Sequence, residues 1–134
     1  MSEPVREATC QCGQLRARCR GEPVRISVCH CLDCQRRTGA PFAMQARFAP
    51  DRVTVTGEAK VWVRSADSGN TSDHHFCPVC GSTLWYHGEP DRTLYAVPVG
   101  TFADPGFPPP AFSVWERRKH SWVWIDVPGI EHSD

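Results

Sequence analysis

The chain has 134 residues, 40% of them apolar, with 15 basic and 15 acidic side chains for a formal net charge of zero. That length predicts one domain over residues 1–134, and neutrality speaks against nucleic acid or an anionic membrane as the main partner, since both favour a strong positive excess. No apolar run approaches the roughly 18 residues that span a bilayer, and Met1 to Glu7 lack the apolar stretch of a secretion signal, so the expected location is cytoplasmic.

Along the chain, Cys10-Gln11-Cys12-Gly13 comes first, two thiols that share a side on an extended segment. A strand is predicted over 14–20, where Leu15, Ala17 and Cys19 alternate with polar neighbours. Val24, Ile26 and Val28 alternate likewise over 24–29, which predicts a hairpin turning at Gly21-Glu22-Pro23. The run Cys29-His30-Cys31-Leu32-Asp33-Cys34 leads into one short helix over Leu32–Thr38, ended by Gly39 with Pro41 beyond. Further strands are predicted over 42–48, 52–56, 60–64 and 74–76, before Cys77-Pro78-Val79-Cys80-Gly81, a knuckle in which Pro78 pre-sets a turn and Gly81 takes positive φ. Strands over 83–87 and 94–99 follow, then a proline-stiffened surface loop over 104–110 and a last strand over 122–127, where Trp122 and Trp124 share a face and pack. The 12 prolines are spread too widely for a long helix. The predicted fold is mainly β with one short helix.

Eight cysteines admit two frameworks, disulfides or metal sites. Structural disulfides belong to oxidising compartments and join distant segments, whereas seven of these thiols fall into three tight groups. Metal is therefore favoured, and zinc is the default ion for thiolate-rich sites. Cys10, Cys12, Cys77 and Cys80 close a tetrahedron, the pattern of a structural zinc. Cys29, Cys31 and Cys34 leave one position for water or substrate, the pattern of a catalytic zinc. His30 points opposite to Cys29 and Cys31 on an extended segment and is expected to pack or hydrogen-bond instead. Cys19 is the other candidate for the fourth position, but its strand parity favours a place in the core.

Trp115, after the proline-rich loop, is a candidate pocket wall. Arg36 and Arg37 follow Cys34 and either face solvent or attract an anionic substrate. His74, His75, His87 and His120 are read as structural, with His75 sharing parity with Cys77.

The ordered set Cys10–Gly13, Cys-His-Cys-x-x-Cys-x-x-x-Thr-Gly-x-x-Phe over 29–42 and Phe-Cys-x-x-Cys-Gly-Ser-x-Leu over 76–84, with Asp67-Ser68-Gly69 ahead of the last, resembles the glutathione-dependent formaldehyde-activating enzyme family. The resemblance implies a zinc-stabilised Mss4-like β fold with two zinc ions per chain, divided between the cysteines as above. It also implies carbon–sulfur lyase chemistry, the formation or cleavage of S-hydroxymethylglutathione from a small-molecule thiol and an aldehyde. Members often carry a His two residues before the late Trp, where this chain has Ser113 before Trp115. Glutathione carboxylates call for basic partners, with Arg36, Arg37, Arg64 and Arg117 as candidates. The alternatives are a non-catalytic zinc module that binds protein or nucleic acid, in which Cys19 completes the second site, and a redox or metal-trafficking thiol protein.

Overall fold

A computed structural model describes residues 3–66 and 69–134, so Asp67 and Ser68 of the predicted motif lie outside the described residues. In chain order the elements are β1 (Val5–Thr9), β2 (Arg16–Arg20), β3 (Arg25–Cys29), α1 (Leu32–Thr38), β4 (Ala43–Phe48), β5 (Val53–Thr56), β6 (Lys60–Ser65), β7 (Thr71–Phe76), β8 (Thr83–His87), β9 (Tyr95–Pro98), β10 (Phe112–Val114) and β11 (Glu131–His132). The fold is mainly β with one α-helix, as the sequence predicts. α1 ends at Gly39, whose φ of 69° is the left-handed cap that glycine adopts without a Cβ clash.

The strands form two sheets, one ordered β1-β2-β5 and one ordered β11-β10-β3-β4-β9-β8-β7-β6. The predicted β2–β3 hairpin does not form. β2 is flanked on both edges, by β1 and by β5, while β3 pairs antiparallel with β4 and parallel with β10. The 21–23 turn hands the chain from one sheet to the other: Gly21 N–H bonds the Pro4 carbonyl at 2.8 Å, and Val24 N–H bonds the Arg47 carbonyl at 2.7 Å. Pro23 has no N–H with which to continue a ladder.

Both sheets share one core. Ala8, Leu15, Ala17 and Cys19 come from the first sheet and its loops, and Ile26, Ala46, Phe48, Leu84, Trp85 and Val97 from the second, with Cys10 and Cys77 buried among them. The proline-rich loop is tied back onto this core, since Phe107 stacks on Phe102 with ring centroids 4.7 Å apart.

The predicted strand over 122–127 is absent, and its expected burial is reversed. Trp122 and Trp124 are 72% and 66% exposed, while Val123 between them is 6% exposed. The smaller side chain fills the space inside. The Trp124 indole lies outside, stacked on His132 at 5.2 Å with the Lys119 ammonium 4.6 Å from its centroid.

Two positions give direct tests of the fold. Gly57 has φ of 98°, and a Cβ there would sit 2.0 Å from the Gln14 carbonyl oxygen. Gly57→Ala is expected to lower stability by roughly 2–4 kcal/mol in urea denaturation, through a backbone clash and an unfavourable φ. His74, buried on β7 and stacked on Tyr86 at 5.2 Å, has its pKa lowered to about 4, first by burial and then by Arg37 and Arg64. The unfolded chain therefore binds a proton between pH 6.5 and 4 that the folded chain refuses. Stability present above pH 6.5 is lost as pH falls towards 4, by on the order of 2 kcal/mol at pH 5, and this component is expected to vanish in His74→Phe.

Candidate metal centres and the adjoining cavity

The first sulfur group gathers Cys10 and Cys12, between β1 and β2, with Cys77 and Cys80, between β7 and β8. Their four sulfurs lie within 4.8 Å of one another, with Cys10–Cys12 at 3.6 Å and Cys12–Cys77 at 3.7 Å. A tetrahedral zinc with Zn–S of about 2.3 Å places its sulfurs about 3.8 Å apart, so this donor set fits such an ion. The knuckle forms as predicted, with Gly81 at φ of 82° and its N–H on the Cys77 carbonyl at 2.8 Å.

Neighbouring donors favour the thiolate form at Cys77 and Cys80. The Gln14 amide donates to Cys77 Sγ at 2.9 Å and to the Glu58 carbonyl at 2.8 Å, and its own oxygen accepts from Glu58 N–H at 3.0 Å. Burial works against a Cys77 thiolate, but the Gln14 amide and the N–H groups of Cys80 and Val79 outweigh it and hold the pKa below the usual thiol value. Hydrogen bonds from the Ser82 hydroxyl and N–H hold Cys80 down at about 5.

The second group is Cys29, Cys31 and Cys34, whose sulfurs also lie within 4.8 Å of one another. β3 ends on Cys29, Cys31 caps the N-terminus of α1 by accepting from Cys34 N–H at 3.3 Å, and Cys34 lies one turn into the helix. Cys31 is held low in pKa, chiefly by hydrogen bonds from the Cys29 and Cys34 thiols, and the same bond to Cys31 pushes Cys29 up. Thiols packed this closely cannot all ionise without a cation among them.

His30 lies in neither group. Its ring is fully buried 5.9 Å from that of Phe42, with Nε2 3.0 Å from Ser113 Oγ. Because the Ser113 hydroxyl donates to Glu116 Oε2 at 2.7 Å, it accepts from His30 Nε2–H, which makes His30 the Nε2–H tautomer. Burial lowers its pKa and keeps it neutral. Glu116 Oε2 also meets His132 Nδ1 at 2.7 Å, so this chain of polar groups ties the Cys29–Cys31 segment to β11. Ser113 thus takes a partner that sequence alone left without a role. Cys19 also stands outside both groups, fully buried on β2, and burial pushes its thiol up to about 12. His75 stacks on Trp85 at 4.6 Å, away from either centre's donor set.

A cavity of about 490 Å³ adjoins the second group, with Cys29, Cys34, Ser27, Gln45, Tyr86 and Trp115 among its lining. Trp115 is the wall the sequence predicts. Its backbone is left-handed, φ 57° and ψ 40°, an uncommon conformation for an aromatic residue that lets the chain turn between Ser113 and Glu116. Arg36 is exposed and off the cavity; Arg37 lies over the Tyr86 ring at 4.9 Å; Arg64 pairs with Asp33; Arg117 lies over the Trp115 ring at 5.1 Å. Arg25 and Arg47 also line the cavity and were missed. The signal was the parity of Arg25, Ser27 and Cys29 on one strand face.

Burial raises the Tyr86 phenol to about 12, with the nearby Cys34 and Cys29 acting in the same direction, so it stays protonated at neutral pH. The donor set in the lining is thus two thiol sulfurs, a phenol, a serine hydroxyl, an amide and two guanidiniums.

No curated protein matches the chain. A solved structure of a Rhodobacter sphaeroides protein is similar in fold, with a TM-score of 0.57 and 23% identity, covering 77% of this chain and 91% of that one. The family described as glutathione-dependent formaldehyde-activating enzyme matches residues 5–118, a stretch that takes in both sulfur groups and the cavity wall. By that match the chain belongs to the glutathione-dependent formaldehyde-activating enzyme family.

Proposed function

We propose that this chain is a single-domain, cytoplasmic, zinc-dependent carbon–sulfur lyase that joins a thiol to an aldehyde or cleaves the adduct, as in S-hydroxymethylglutathione formation. The observation that carries this reading is a three-sulfur group opening onto a cavity whose lining mixes polar and apolar side chains. Cys10, Cys12, Cys77 and Cys80 would hold a structural zinc, and Cys29, Cys31 and Cys34 a catalytic one. When bound, zinc supplies Lewis acidity that stabilises a thiolate and polarises a carbonyl oxygen.

The residues of the chain supply the rest. The cavity, with Trp115 and Tyr86 in its lining, would hold thiol and aldehyde together, which favours an addition that is otherwise bimolecular. In the forward direction the thiol loses its proton, its sulfur forms a bond to the carbonyl carbon, and the carbonyl oxygen takes a proton from the Tyr86 hydroxyl. The proton lost by the thiol restores the phenol. The reverse reaction breaks the carbon–sulfur bond and returns each proton by the same route. His30, neutral and bonded to Ser113, positions the segment that carries Cys29 and Cys31.

Three measurements test this reading. Zinc-loaded protein mixed with glutathione and formaldehyde is expected to form the hydroxymethyl adduct faster than the uncatalysed reaction; no acceleration with any of several thiols refutes the proposal. Tyr86→Phe is expected to lower kcat by roughly 10²-fold with little change in KM, the size of effect usual for a positioned proton donor. Metal analysis under reducing conditions is expected to give two zinc ions per chain in wild type and in Cys19→Ser, but one in Cys80→Ser or Cys31→Ser. Loss of zinc in Cys19→Ser favours the non-catalytic module.

A further inference from the structure

β6 ends the larger sheet, and among the described residues only β7 pairs with it. Sheet edges are normally kept from pairing with other chains by brevity, charge, proline or a bulge. The other edges follow this rule. β11 is two residues long, β1 carries Arg6 and Glu7, and the exposed positions of β5 are Thr54 and Thr56. β6, with the sequence Lys60-Val61-Trp62-Val63-Arg64-Ser65, has no proline and keeps an unbroken register with β7. It exposes three consecutive apolar side chains, Val61 at 51%, Trp62 at 57% and Val63 at 53%. Because successive side chains point to opposite faces, both faces of this edge are apolar. Of its two cations, Arg64 is bonded to Asp33 at the start of α1, and Lys60 stands at the strand end.

The backbone of this edge has a fixed phase. Ala66 N–H bonds the Asn70 carbonyl at 2.8 Å, continuing the register that sets Arg64 opposite Ser72 and Trp62 opposite His74. In an antiparallel ladder, residues that bond across to one neighbour alternate with residues whose N–H and C=O point the other way. Ala66, Arg64, Trp62 and Lys60 therefore bond towards β7, and Val61, Val63 and Ser65 turn their backbone groups outward. A second β6 laid antiparallel about a two-fold axis at Val63 satisfies all three, since Val63 meets Val63 while Val61 and Ser65 meet each other. The same register sets Trp62 of one protomer opposite Arg64 of its partner, a cation–π pairing, and Lys60 opposite Ala66. Moving the axis by one residue sets Lys60 against Arg64 in one direction and Arg64 against Arg64 in the other. Like charges directly opposite are destabilising, so one register is selected.

We propose that β6 is the interface of a two-fold symmetric homodimer, in which the larger sheets of two protomers join edge to edge about Val63. The occupant is a second copy because this edge complements itself in hydrogen bonding and in charge at once, as an isologous contact requires. A single-strand contact lies at the small end of specific interfaces, below about 1,200 Å², so the expected association is micromolar. The interface is independent of the lyase reading: Val61, Trp62 and Val63 belong to neither sulfur group and do not line the cavity.

Sedimentation velocity over a dilution series of the zinc-loaded protein tests this, with hydrogen exchange read by mass spectrometry at the same concentrations. Wild type is expected to pass from monomer to dimer across the micromolar range, and peptides covering 60–65 to exchange roughly 10-fold more slowly in the dimer. Val63→Lys sets two ammonium groups against each other at the axis and is expected to weaken association by roughly 100-fold. Its melting temperature and zinc content are expected to match wild type, because the position is exposed. Trp122→Ser and Trp124→Ser, which alter the other exposed aromatic surface, are expected to associate as wild type does. A wild type that stays monomeric at high micromolar concentration overturns the proposal. So does a dimer that survives Val63→Lys, that is lost in the tryptophan variants, or that forms without slower exchange over 60–65. The exchange series on wild type decides the matter should Val63→Lys fold poorly.

Discussion

Like charges at the separations of these sulfurs set the terms for the rest of the molecule. Two thiolates 4 Å apart repel by about 4 kcal/mol at an effective dielectric of 20, so seven thiols gathered into two groups with spacings under 4.8 Å can ionise together only with cations to share. The first group lies where the two sheets meet, and its Cys10 and Cys77 belong to the apolar core. An ion held there would fasten the ends of four strands at one point, in a chain whose core is otherwise built from few large side chains. Gln14, bonded to Cys77 and at both polar ends to Glu58, carries that fastening over to the 57–58 turn beside β5.

The second group differs in surroundings rather than in chemistry. Its sulfurs sit at the end of a strand and the start of a helix, so one side is supported by backbone and the other opens onto the cavity. Support comes from behind, through His30, Ser113, Glu116 and His132, which pin the intervening backbone to the short parallel strands. A four-sulfur group within the core suits a structural ion; a three-sulfur group facing a cavity of mixed polar and apolar lining suits an ion that meets substrate.

Much of this was legible in the sequence because it is local. Cys-x-x-Cys-Gly fixes its own turn, the Leu32–Thr38 helix carries its own cap, and strand parity alone separated Cys29 from His30 and assigned Cys19 to the core. What was not legible depends on partners far away in the chain. β1 has a weak apolar pattern and exists because β2 offers it a ladder, and β10 and β11 are too short to show any period. The false hairpin came from treating two alternating segments as neighbours when a third strand already occupied the shared edge. Trp122 and Trp124 misled because apolar character was read as burial, while the space available admits only Val123. Arg25 and Arg47 escaped notice for a related reason: each is an ordinary surface residue until the register sets them opposite each other.

The central claim is that the Cys29, Cys31 and Cys34 group accepts an outside thiol while the Cys10, Cys12, Cys77 and Cys80 group does not. Cobalt(II) substitution tests it directly, because the visible bands of a thiolate-bound cobalt report each change of ligand. Titration with glutathione is expected to shift the bands of one of the two cobalt ions, saturating at one equivalent per chain, and to leave the other unchanged. Bands that stay constant at both ions through saturating thiol would contradict the account.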